Sequence, residues 1–139
     1  MTTAADTQAL ACAQAAREAH GPVDLHILRQ IIDDHRFIAH PVHVVFDERA
    51  LGPGDLAFVH PRGQQPEDGF VISLHPTLRG RPDDCCLVLA YQLVLINWGP
   101  DATAQTAEIF AATLLTRPRE TVYQQMCNLA DGLAETPKR

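Results

Sequence analysis

The sequence holds a single serine, Ser73, and no Gly-x-Ser-x-Gly elbow, so a serine-hydrolase site lacks its nucleophile in the usual setting. It has no P-loop and no dinucleotide-type glycine pattern, and no cofactor is expected. None of the four cysteines, Cys12, Cys85, Cys86 and Cys127, belongs to a Cys-x-x-Cys pair. All four fall in stretches that read as helical, which argues for reduced, packed thiols rather than a zinc finger or redox motif. Cys85 is the one thiol whose position near a helix N-terminus predicts a lowered pKa.

A basic stripe is also missing. The eleven Lys and Arg residues are scattered among seventeen acids, for a net charge of −6, so direct nucleic-acid binding is not expected. Arg79-Gly80-Arg81 is the one short basic cluster, and beside Asp83-Asp84 it reads as a loop. The longest apolar stretch, Cys85 to Ile96, is interrupted by Gln92 and falls short of the roughly 20 residues of a membrane span. Met1 to Ala19 has no basic segment followed by an apolar one, as a secretory signal would. A cytoplasmic protein that makes no membrane contact is the expectation.

What is present fits one domain: 139 residues, 46% of them apolar. Asp6 to Ala19 reads as a helix with a weak stripe through Leu10, Ala13 and Ala16 or Arg17, ended by Gly21-Pro22. A second helix runs from about Pro22, with Asp24 in its first turn, to about His35, and its Leu25, Leu28, Ile31 and Ile32 face a core. Three extended segments follow, Val42 to Phe46, Leu56 to Val59 and Phe70 to Leu74, whose spacing suggests an antiparallel sheet. A helix apolar on nearly every face, capped by Asp83 or Asp84 and reaching Asn97, belongs at the centre of the fold. Two more are expected, from Asp101 to Leu115 and from Arg119 to Leu133, with a frayed tail at 135–139. The predicted class is α+β: a small three-stranded antiparallel sheet with two N-terminal and three C-terminal helices, its core spanning about residues 22–134.

Three blocks then carry a likeness. They are Pro22-Val23-Asp24-Leu25 heading a helix, the strand Phe70-Val71-Ile72-Ser73-Leu74 leading into Leu89-Ala90-Tyr91-Gln92-Leu93-Val94-Leu95, and Ala107 to Leu115 with Pro118 behind it. In order and spacing, Pro22 to Pro118 resembles the ImmA/IrrE-like metallopeptidases, which implies a zincin-like fold. The zincin motif His-Glu-x-x-His needs two imidazoles one helical turn apart and a glutamate to take a proton from metal-bound water. In register with it, the two histidine positions hold Tyr91 and Leu95, and the glutamate position holds Gln92. The stretch expected to supply a third ligand, Thr103-Ala104-Gln105-Thr106, has no acid; Glu108 lies just past it. The resemblance therefore implies a degenerate member in which all metal-binding positions are lost together.

If the cleft persists, His75, Tyr91, Gln92 and Glu108 line a candidate binding groove, with the strand before the central helix open to an added strand. The bland reading of Tyr91 and Gln92 is side chains satisfied by hydrogen bonds inside the core. His40 and His43, entering the first strand, form the best local metal pair, without nameable third and fourth ligands. The leading expectation is a catalytically inactive metallopeptidase-like domain that works by binding a protein, a peptide or a copy of itself as a homodimer. One alternative is a metal-dependent hydrolase using His40, His43 and Glu108; another is a structural or assembly subunit. The resemblance further implies a role in stress or mobile-element regulation.

Overall fold

The computed structural model describes residues 1–135. In chain order the described residues form helices α1 (Ala4–His20) and α2 (Leu25–Ile32), strands β1 (Val42–Phe46), β2 (Ala57–Pro61) and β3 (Phe70–Leu74), and helices α3 (Pro82–Trp98), α4 (Ala104–Leu115) and α5 (Arg119–Glu135). The class is α+β. The tail expected to fray lies outside the described residues from 136 onward. No helix among them is long and apolar enough to cross a membrane.

The sheet is mixed, and this corrects the antiparallel expectation. Its order is β1-β3-β2, with β1 parallel and β2 antiparallel to β3. Phe70-Val71-Ile72-Ser73-Leu74 is the strand best suited to the middle, because Ile72, Ser73 and Leu74 are all buried, whereas β1 and β2 keep exposed positions. Gly69 makes the parallel pairing feasible. Its φ is 89°, and a Cβ there would stand 2.7 Å from the Pro41 carbonyl oxygen, the acceptor for the Phe70 amide at 2.8 Å.

Small side chains set the helix packing. Ala5, Ala9, Ala13 and Ala16 form the buried stripe of α1 and let its backbone approach α4 closely, while Leu10 of the expected stripe is left exposed. The N-termini of these two helices are tied together. Asp6 is buried, accepting from Thr106 Oγ1 at 2.6 Å, Gln105 Nε2 at 2.7 Å and the Thr3 amide at 3.0 Å. These donors, Thr106 first, hold its carboxyl at about 2.

Capping residues place the other helix starts. Asp24 is the N-cap of α2, accepting from the Ile27 amide at 2.8 Å, rather than a first-turn residue. Pro82 occupies the first turn of α3, so Asp83 and Asp84 sit inside it rather than at its cap. There Asp83 pairs with Arg117, and Gln125 of α5 donates to Asp84 at 2.9 Å. Thr103, not Asp101, opens α4, since Asp101 ends a short 3-10 turn. Asn97 near the end of α3 clamps the lead into β1, donating to the Phe37 carbonyl at 2.6 Å and accepting from the Ala39 amide at 2.9 Å.

α3 runs through the centre of one hydrophobic cluster, with residues 85–90 and Leu93, Val94 and Ile96 buried. Phe110 of α4 is fully buried and meets Trp98 edge-on, ring centroids 6.0 Å apart. No disulfide joins the four cysteines. The lowered Cys85 pKa expected from the helix N-terminus is overturned: burial raises this thiol, Arg29 opposing, and Cys86 is pushed up to about 12.

Candidate functional site

The central helix is buried along most of its length and reaches the surface where Tyr91, Gln92 and Leu95 lie. Tyr91 and Gln92 are half-buried, and Leu95 is 45% exposed although Val94 beside it is buried. Positions 91 and 95 are one turn apart and share a helix face, so Leu95 faces outward rather than serving the core. Neither the Tyr91 hydroxyl nor the Gln92 amide has a hydrogen-bond partner among the described residues, and neither is a sealed-off buried polar atom. The expectation that core hydrogen bonds satisfy both is not met. Their polar ends reach solvent.

Tyr91 lies within electrostatic reach of Glu108. Burial pushes the Tyr91 phenol up to about 12, the Glu108 carboxylate and the Cys127 side chain adding to the rise and Arg119 opposing it. The phenol therefore keeps its proton at neutral pH and acts as a donor. Glu108 is ion-paired to Arg119 at 3.5 Å, and the Tyr123 phenol is also raised, first through its hydrogen bond with Cys127. Arg119, Tyr123 and Cys127 of α5 thus belong to the site, although the expected groove drew only on His75 after β3, Tyr91 and Gln92 of α3 and Glu108 of α4. Their i, i+4, i+8 spacing puts them on one face of α5, and no sequence signal sets that face against α3.

His75 is engaged locally. Its Nδ1 accepts from the Thr77 amide at 3.1 Å, capping the short turn after β3. Nor can a strand add beside it, because β3 is flanked on both edges. The free edges belong to β1 and β2.

His40 packs against the Phe70 ring, with centroids 5.6 Å apart. His43 is exposed and lines a groove of about 540 Å³ along β1, together with Val42, Val44 and, from the end of α2, Arg29 and Ile32. Among the described residues no three or more His, Cys, Asp or Glu side chains gather where they could hold a metal ion. His40, His43 and Glu108 therefore do not form the shared site of the relocated-ligand alternative. Comparison with models of known protein families, with curated proteins and with solved structures found no match to this chain.

Proposed function

We propose that this chain is a zincin-like domain without catalytic function, which works by binding a protein or peptide partner on the exposed face of α3. The observation that carries the reading is the opening of the middle of α3, between its buried residues, at Tyr91, Gln92 and Leu95, the positions where the resemblance calls for zinc ligands and a general base. A phenol that stays protonated, an amide and an apolar side chain perform neither task. They do suit recognition. Tyr91 supplies a donor, Gln92 a donor and an acceptor, and Leu95 apolar area, with the Glu108–Arg119 pair beside Tyr91.

The test is zinc content and peptidase activity of tag-free protein purified without chelators. The reading expects neither tightly held zinc nor turnover, and one tightly held zinc per chain overturns it.

A second reading, self-association into an assembly, is favoured by the sheet face turned away from the core, where Val45 and Phe58 are 40% and 48% exposed. Sedimentation velocity across a concentration series, comparing wild type with Phe58→Glu, tests it. A concentration-independent monomer in both removes it.

A further inference from the structure

The two free sheet edges differ in what lies beside them. On β2, the His75 amide donates to Leu56 and the Arg62 amide to Gly69, at 2.8 and 3.0 Å. This parity turns the backbone of the even-numbered residues toward β3 and leaves Ala57, Val59 and Pro61 at the free edge, where Pro61 has no N–H to offer. On β1, the Phe70 amide donates to Pro41 and the Asp47 amide to Leu74, at 2.8 and 3.1 Å. The odd-numbered residues of β1 therefore face β3, while Val42, Val44 and Phe46 turn their amides and carbonyls outward. These outward groups have no hydrogen-bond partner among the described residues.

The β1 edge borders the groove of about 540 Å³ whose other wall is the C-terminal end of α2. A row of unpaired amides and carbonyls facing a groove walled by a helix is the arrangement that accepts an added strand. Val42 and Val44 line it from β1 and Ile32 from α2, so inward-facing side chains of an added strand meet apolar surface. Arg29, exposed and with a guanidinium that makes no hydrogen bond or ion pair among the described residues, is the permanent cation of the lining; His35 and His43 stand with it beside one carboxylate, Asp33.

We propose that the β1–α2 groove binds an extended peptide segment of a partner protein as a fourth strand of the sheet, with an acidic side chain of that segment set against Arg29. The five residues of β1 span about 16 Å, room for roughly five residues of added strand. A second copy of this chain is disfavoured as occupant because it would bring its own α2 wall to the same edge. This site is separate from the α3 face, and its test does not depend on that face.

The probe is a fluorescein-labelled strand peptide, Val-Thr-Glu-Thr-Val-Thr, whose glutamate shares one face with its valines, titrated against the full chain by fluorescence polarisation and by amide-resolved NMR. Saturable binding is expected, with shifts and slowed hydrogen exchange at the Val42, Val44 and Phe46 amides, and with loss of binding when alternate peptide amides are N-methylated. Val44→Pro removes one outward donor that takes no part in the β1–β3 ladder, and about tenfold weaker binding is expected with the sheet intact. Arg29→Glu is expected to weaken binding several-fold, with partial recovery when the peptide glutamate is replaced by lysine. If Val44→Pro fails to fold, Arg29→Glu and the N-methylated peptide on wild type still decide. Three outcomes overturn the proposal: no saturable binding, binding indifferent to N-methylation and to Arg29→Glu, or shifts that fall at Ala57 and Val59 or around Tyr91 instead. Dimerisation through Val42–Phe46 overturns it as well.

Discussion

Gly69→Ala tests the mixed sheet at its tightest point. Gly69 has φ 89° and ψ −173°, a region open essentially to glycine alone, where another residue costs about 1–3 kcal/mol in backbone strain. Its Cβ would also stand 2.7 Å from the Pro41 oxygen and 3.3 Å from the Pro41 carbonyl carbon. Both are backbone atoms, so no side-chain rotation relieves the contact. Pro41 must move, and the Phe70–Pro41 hydrogen bond that begins the parallel ladder lengthens or breaks, a further loss of about 0.5–1.5 kcal/mol. The sum is roughly 2–4 kcal/mol, or a fall in Tm of roughly 6–15 °C for a domain of this size. Urea and thermal denaturation followed by circular dichroism measure it. Gly80→Ala is the control, since Gly80 has φ 84° with nothing within 4 Å of the added Cβ. It is expected to cost at least about 1 kcal/mol less. Equal losses in the two variants, or a Gly69→Ala protein within about 0.5 kcal/mol of wild type, would refute the close approach of Gly69 to Pro41 and with it the parallel pairing of β1.

Two further outcomes follow from the helix contacts. Phe110→Ala is expected to destabilise the fold by about 3–5 kcal/mol, because the side chain is fully buried and leaves a cavity between α4 and the central helix; a chemical-denaturation loss under about 1 kcal/mol contradicts its place in the core. Asp6 has a folded-state pKa of about 2, below its ordinary 3.8, so the stability it contributes is complete above about pH 4 and is lost as pH falls through about 2. Tm measured from pH 2 to 6 for wild type and Asp6→Asn is expected to show a gap that is widest above pH 4 and closes toward pH 2. A gap that does not change with pH contradicts the role given to the carboxylate.

Local pattern was enough to place all five helices and all three strands, because each carries its own signals. Gly21-Pro22 and Pro118 mark helix ends, and β-branched runs lie between turn residues. Strand order was not legible, since it depends on which segment is covered on both sides, and that is decided by contacts from β1, β2 and α3 far apart in sequence. α1 misled through Leu10: the buried stripe follows the alanines because the closeness of α4 rewards small side chains over large ones. The candidate site was legible in half. Tyr91 and Glu108 lie within electrostatic reach of each other, whereas the Thr77 amide that His75 caps was not visible in the pattern. Arg119, Tyr123 and Cys127 were missed because nothing in a single chain states that α5 approaches the face of α3.

The most direct measurement is zinc bound per chain in wild type and in the triple variant Y91H/Q92E/L95H, both purified without chelators and then equilibrated with zinc and dialysed. Positions 91 and 95 reach the surface one turn apart, with the Glu108 carboxylate near Tyr91. The account predicts no retained zinc in wild type and about one zinc per chain in the triple variant, lost again when Glu108→Ala is added. Stoichiometric zinc in wild type, or none in the triple variant, would contradict the claim that α3 is a metallopeptidase helix turned to binding.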